Sequence, residues 1–307
     1  MAVNTAQIAN LLRPGLAAVF GDYEMYPTQW KEFYETKNSI MQQEIEVEMR
    51  LLGLAELRAE GANTHYDDAM GQRWITTYLH RYTALGFIVT RQAIKDNLYK
   101  SQFDMQSGSL KRSFLQTDEV MGVAVLNNGF ASSFANSTYT AGDGLALFST
   151  AHPIDGATYA NTPSVQANLN ETSLQDAINT VQQFKDQAGL IVMVKPKKLI
   201  VPTAVQWQAE RLLGSKFRIE TANNDISAIV STNAVPDGYR VNQFLTDTNG
   251  WFLMTDADNG FKHYARETLE IDMFTDFDND NLKIKGVKRD SWGVSNPRAA
   301  YGSSGAT

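Results

Sequence analysis

Residues 110–130 read LKRSFLQTDEVMGVAVLNNGF. Leu110, Phe114, Met121 and Val125 recur at three-to-four-residue spacing, while Lys111, Arg112, Asp118 and Glu119 fall mostly elsewhere. That is a helix with one buried stripe. The pattern reaches back to residue 92, so the spacing predicts a long helix over 92–126, with Gly108 as the point where it breaks. A stripe of this kind packs a core and asks for no cofactor. NNGFASSFANSTYTAGDG (127–144) then closes the helix and supplies a loop.

Upstream, residues 30–89 read as extended chain. In QRWITTYLHRY (72–82), Trp74, Tyr78 and Tyr82 share one parity and Ile75, Thr77 and Leu79 the other, as a strand with two usable faces requires. EGANTHYDDAMG (60–71) is polar and glycine-flanked, the tip of a long hairpin-like excursion. Such an excursion has too little partner surface in its own chain and needs a neighbour. Trp74, Ile75, Tyr78, Leu79 and Tyr82 are therefore the candidate contacts between subunits. The first 25 residues carry Ile8, Leu11, Leu12 and Leu16, interrupted by Arg13-Pro14-Gly15, and read as two short pieces or an arm that orders on a partner.

Downstream, NETSLQDAINTVQQFKDQAG (170–189) predicts a helix. Thr172 and Gln175 have capping-box spacing, Leu174, Ala177, Ile178, Val181 and Phe184 form its stripe, and Gly189 stands where a C-terminal cap is expected. LIVMV (190–194) and KKLIV (197–201) read as short buried strands, and PTAVQWQAERLLG (202–214) as a helix beginning beside Pro202. Together they imply a compact α/β unit. GWFLMTD (250–256), RETLEIDMF (266–274) and NLKIKGVKRDSWGV (281–294) follow as strands, with TDFDNDN (275–281) as the turn between the last two.

Composition removes several functions. With 34 acidic and 27 basic residues, the chain does not grip nucleic acid with its whole surface. It has no cysteine, so disulfide, thiolate and cysteine–zinc chemistry are excluded. The N-terminus has neither the basic start nor the apolar core of a signal peptide, and no stretch reaches the roughly 18 apolar residues that span a bilayer. The expectation is a soluble protein, made in the cytosol, with no membrane partner.

Chemical motifs fail one by one. Asp276, Asp278 and Asp280 mimic the start of a calcium loop, but its sixth and twelfth positions hold Asn281 and Val287 where glycine and glutamate are needed. No glycine-rich phosphate loop is present, and His65, His80 and His263 lie in separate segments without metal-binding spacing. The best enzyme reading is GLALFSTAHP (144–153), with Ser149, Thr150 and His152. Side chains two or three apart in extended chain do not easily meet as nucleophile and base. The plainer reading is a strand, LALF, ended by a turn that Pro153 fixes. No catalytic, cofactor-binding or metal-binding residue is assigned, and no cofactor is expected.

RYTALGFIVTRQAIKDNLY (81–99), the stretch from 110 to 130, DGLALFSTAHP (143–153) and PKKLIVPTAVQWQAERLLGS (196–215) resemble, in that order, parts of the major capsid proteins of tailed bacteriophages. The likeness runs over residues 45–300 and is strongest to head subunits related to phage Mu. It implies an α+β chain with the Hong Kong-type phage capsid fold. The implied parts are an N-terminal arm and lead-in (1–44), an extended loop (45–88), a peripheral domain with a long spine helix (89–167), an axial domain (168–260), and return strands with a tail (261–307). It also implies a non-enzymatic shell subunit, forming hexamers and pentamers in a virion assembled in the host cytoplasm. The implied partners are a separate scaffolding protein, a portal protein, and packaged double-stranded DNA held by weak contact, with KPKK (195–198) and KIKGVKR (283–289) as its basic patches. Some relatives cross-link through lysine and asparagine, and no such positions are assigned here. An encapsulin-like compartment shell is the alternative; a hydrolase using Ser149 and His152, or a tail or adaptor protein, stands behind it.

Overall fold

In a computed structural model, residues 28–67, 70–96, 100–131, 142–217 and 225–306 are described, so the pattern of the first 25 residues lies outside them. A 3-10 turn at Trp30–Glu32 leads into β1 (Glu35–Asn38), β2 (Gln43–Arg50), β3 (Gly71–Leu79) and β4 (Arg81–Val89). A short helix α1 (Arg91–Lys95) precedes α2 (Lys100–Asn127), whose 28 residues span roughly 42 Å. Next come β5 (His152–Ile154), β6 (Ala157–Tyr159), α3 (Glu171–Gln182), β7 (Pro196–Val201), α4 (Gln206–Gly214), α5 (Ala228–Ser231), β8 (Tyr239–Val241) and β9 (Trp251–Thr255). The chain closes with the long hairpin β10 (Phe261–Thr275) and β11 (Leu282–Val294), a 3-10 turn, and β12 (Ala300–Ser303).

The strands form two four-stranded sheets and two ribbons. The first sheet, ordered β1-β10-β11-β4, has α2 across one face, where Leu110 and Phe114 pack with Val89, Leu282 and Ile284. Close approach depends on Gly286, because a Cβ there would stand 2.7 Å from the Phe114 ring. The second sheet, ordered β12-β9-β7-β8, is buried on both faces. Leu199, Val201, Trp251 and Leu253 meet α3 and α4, while Ile200, Phe252 and Met254 meet Val125 and Leu126 of α2. Helix α2 thus joins the cores of both sheets, and its two ends need different partners.

β3 and β4 are one extended run interrupted only at His80, and each belongs to a different sheet. β4 pairs with β11, whereas β3 pairs antiparallel with β2 in a separate two-stranded ribbon. Residues 51–70 join the far ends of that ribbon.

Several expectations need correction. The helix does not break at Gly108, which lies inside the 28 residues of α2, since one glycine costs only about 1 kcal/mol and its neighbours Ser107 and Leu110 are buried. The capping box of α3 uses Asn170 and Ser173 in place of Thr172 and Gln175, with Asn170 Oδ1 accepting from Ser173 N at 2.8 Å. Asparagine is the stronger cap and starts the helix earlier. Gly189 does not cap α3, which ends at Gln182; with φ of 81° it closes the turn before the Lys185–Ile191 bridge. LIVMV is no strand: Ile191 and Met193 are exposed and only that one bridge forms. LALF is not a strand either. Leu147 and Phe148 are buried, but Phe148 N donates to Gly129 O and Leu147 O accepts from Asn161, so no ladder claims their backbone. Helix α4 begins at Gln206, because a turn from Pro202 O to Val205 N occupies the residues before it.

Candidate functional site

The histidine of GLALFSTAHP is fully buried. Its Nδ1 lies 2.5 Å from Asp143 Oδ2, and its Nε2 lies 3.1 Å from both Leu147 O and Asn161 Oδ1. Asn161 is held by donating to Leu147 O at 2.7 Å and Pro297 O at 3.0 Å, so both ring nitrogens face acceptors. Ser149 Oγ instead accepts from Ala151 N in a local turn. Among the described residues, the printed partners of the ring nitrogens are a carboxylate, a backbone carbonyl and an amide oxygen. The cluster ties three segments of chain together.

The ribbon is the less ordinary feature. Along β2 the sequence QEIEVEMR alternates, and the half-buried row is Glu44, Glu46, Glu48 and Arg50. Every one of these finds a polar partner on the body. Glu44 accepts from Ser39 Oγ at 2.6 Å. Glu46 accepts from Lys262 Nζ, from Tyr264 OH at 2.6 Å and from Ser295 Oγ at 2.5 Å. Glu48 pairs with the buried Arg298, and Arg50 with Asp67 and Asp155. Burial works to raise the Glu46 carboxyl, yet its three donors outweigh burial and leave it below the usual carboxylate range. For Glu48 burial wins over Arg298, and its carboxyl is raised.

The opposite face of the ribbon is apolar and open. Ile45, Val47 and Met49 of β2 are about half exposed, beside Ile75 and Leu79 of β3. This inverts the usual order, in which a strand turns its apolar row to its own core. Of the five candidate contacts, Ile75 (49%), Leu79 (45%) and Tyr82 (61%) are exposed. Trp74 is partly covered, and Tyr78, 2% exposed, bonds Ser295 and packs its ring 5.0 Å from Tyr264. Tyr78 therefore belongs to the chain's own core and is not free to meet a neighbour. Tyr82 leaves the parity of Trp74 because the run changes sheets at His80. Sequence reasoning missed Ile45, Val47 and Met49; the strict acid–apolar alternation of β2 was the available signal. Among the described residues, sixteen of the twenty-six large apolar side chains found exposed lie between residues 40 and 88.

The basic patches are largely paired. Lys198 meets Glu32 at 2.7 Å, Lys283 meets Asp276 at 2.6 Å, and Lys288 is buried between Asp118 and Asp290. Among the described residues there is no cluster of metal-binding side chains, and no helix is long and apolar enough to cross a membrane.

Comparison with known proteins agrees with this geometry. Residues 75–303 match the protein-family model described as phage capsid protein. No curated protein matches the sequence. Among solved structures, the capsid of Myoviridae phage XM1 is similar over 91% of this chain and 92% of its own, at 12% identity and a TM-score of 0.54. The capsid of a native GTA particle is similar over 90% and 89%, at 11% identity and a TM-score of 0.55. A virus-like particle from Pyrococcus furiosus is similar over 95% and 97%, at 11% identity and a TM-score of 0.51. At such identities these structures speak for the fold alone.

Proposed function

The chain belongs to the phage capsid protein family, and from that premise we propose that it is the major head subunit of a tailed bacteriophage, closing with its copies into an icosahedral shell of hexamers and pentamers around the genome. The observation that carries this reading is the ribbon, which spends its polar row on its own chain and turns its apolar row to solvent. Stable interfaces take about 20–30 residues a side with an apolar centre. A belt of sixteen exposed apolar side chains over residues 40–88 fits one subunit lying on another.

In this reading residues 45–88 are the extended loop, α2 is the spine of a peripheral domain over 89–167, residues 168–260 are an axial domain, and 261–307 return to the periphery. Residues 1–44 supply the arm and lead-in. A separate scaffolding protein and a portal protein complete assembly in the host cytoplasm, and DNA is held weakly. No enzymatic role is needed, because the His152 cluster is accounted for by structure. The compartment-shell alternative shares the fold but is not favoured, since the family match is to phage capsid proteins.

Electron microscopy of the expressed protein, alone and with the products of its neighbouring genes, tests the reading. Closed shells are expected. Tubes, rings or a persistent monomer at high concentration would overturn it.

A further inference from the structure

The hairpin of β5 and β6 begins at His152 and ends at Tyr159, which face each other in its register. Ile154 pairs with Ala157, so Asp155 and Gly156 form the turn, which Gly156 closes at φ of 70°. That turn reaches the ribbon. One oxygen of the Asp155 carboxylate lies 3.0 Å from Arg50 Nε on β2, and the other lies 3.2 Å from Arg73 on β3. A single side chain of the body therefore ties both strands of the ribbon. The turn is steadied in its place by Asp155 N, which donates to Gln187 O at 3.2 Å.

The base of the same hairpin reaches the ribbon through a stack. The Tyr159 ring lies 5.0 Å from the His152 ring and carries the Arg298 guanidinium at 4.8 Å. Arg298 Nη1 in turn donates to Glu48 of β2 at 3.4 Å, while its Nε donates to Lys185 O at 2.7 Å. On the other side of His152, its partner Asp143 adjoins Gly142, where a Cβ would stand 2.6 Å from Thr76 Oγ1 of β3 and closer still to Trp74. Both strands are thus held at the hairpin's tip and again at its base. Glu44 and Glu46 hold the ribbon nearer to where it leaves the sheet, whereas Arg50 and Arg73 stand beside its last pair, Arg50 with Gly71. A hold at each end fixes a direction, where one hold alone leaves a pivot. The ribbon needs this, because β2 and β3 pair only with each other and an isolated two-stranded ribbon is marginal in water.

We propose that the β5–β6 hairpin is a clasp that sets the direction of the ribbon in the free chain, so that its apolar row meets a neighbour already aimed. Ordering the ribbon beforehand removes that entropy cost from association. The aiming is a property of the single chain; its effect on association rests on the shell reading and deepens it. His152 and Tyr159 are positioning residues in this account, acting on the ribbon through Asp155 and Arg298.

The chain has no cysteine, so spin labels can be placed at chosen positions. Gln72→Cys on β3 and Asn179→Cys on α3 both replace exposed side chains. In the free labelled chain, pulsed dipolar spectroscopy should give one narrow distance between ribbon and body. Asp155→Asn and Glu48→Ala should each broaden it, and the two together should broaden it more than either. Asp276→Asn, which breaks the ion pair with Lys283 in another hairpin, should leave it narrow. Asp155→Asn should also raise the concentration needed for shells about threefold, the worth of one exposed ion pair, although it alters no apolar side chain. An unchanged distance distribution in both clasp variants, equal broadening by Asp276→Asn, or an unchanged assembly concentration once the ribbon has broadened would each overturn the proposal. A parent chain that forms no particles would overturn the shell reading, and the free-chain distances would still decide the clasp.

Discussion

Asp143 and His152, nine positions apart, form a fully buried pair, Oδ2 to Nδ1 at 2.5 Å, that closes the segment holding the catalytic candidates. His152→Ala takes a buried partner from the Asp143 carboxyl and opens space beside Asn161, at a cost of about 1–3 kcal/mol for the group left unsatisfied. A clear drop in melting temperature is expected, whereas Ser149→Ala should change it little. Neither variant should affect ester or peptide hydrolysis, because the parent should have none. Parent turnover that vanishes in both variants while each still assembles would restore the enzyme reading.

Glu46 and Glu48 sit two apart on β2 and should respond to pH with opposite sign. The lowered Glu46 carboxyl contributes stability that is present above its unfolded value near 4.5 and is lost as pH falls through the lowered folded value. The raised Glu48 carboxyl binds its proton first in the folded chain, so its contribution falls as pH rises from 4.5 through the raised value. Glu48→Gln should therefore flatten the loss on the alkaline side, and Glu46→Gln should lower stability at neutral pH with a deficit that shrinks in acid. Denaturant titrations of the free chain from pH 3.5 to 7 check both slopes.

Ile75 and Tyr78 lie three apart on β3 and separate assembly from folding. Ile75→Ser removes an exposed side chain and should shift free-chain stability by less than about 0.5 kcal/mol. Burial of a large aliphatic group contributes about 1.5–3 kcal/mol, so the concentration needed for shell formation should rise tenfold or more. Tyr78→Ser should do the reverse, destabilising the chain by about 3 kcal/mol or more through its lost core packing. Light scattering of assembly beside thermal melts of the unassembled chain distinguishes the two.

Contact with DNA should be weak and salt-sensitive, because the basic segments spend Lys198, Lys283 and Lys288 on acids of the same chain. Fluorescence anisotropy with short duplexes should show binding that fades between 50 mM and 200 mM salt, independent of sequence. Submicromolar, sequence-dependent binding at physiological salt would contradict it.

Elements with a strong period were readable in advance: α2 from Leu110 and Phe114, the stripe of α3, and the β10–β11 hairpin around its aspartate-rich turn. Apolar runs misled where the side chains were buried but the backbone had no ladder partner, as at Leu147 and Phe148. The exposed face of the ribbon was half legible. Parity in β3 put Ile75 and Leu79 together on one face, which is exposed, but it could not tell that Tyr78 faces inward, because that depends on Ser295 and Tyr264, more than 180 residues away. The inverted row of β2 looked like an ordinary surface strand, since its charged partners Lys262 and Arg298 are likewise distant in sequence.

The run through His80 also has a mechanical meaning. A neighbour that gripped the ribbon would pull on β3, and the same backbone continues as β4 into the sheet beneath α2. There nine residue pairs, from Arg81 with Asp290 to Val89 with Leu282, lie across the direction of pull. Antiparallel hydrogen bonds are perpendicular to their strands, so this ladder is loaded in shear and its bonds must yield together. Tension between subunits, as in a container pressurised from within, would be carried by a covalent tie rod anchored in a sheet instead of by the loop joining two lobes.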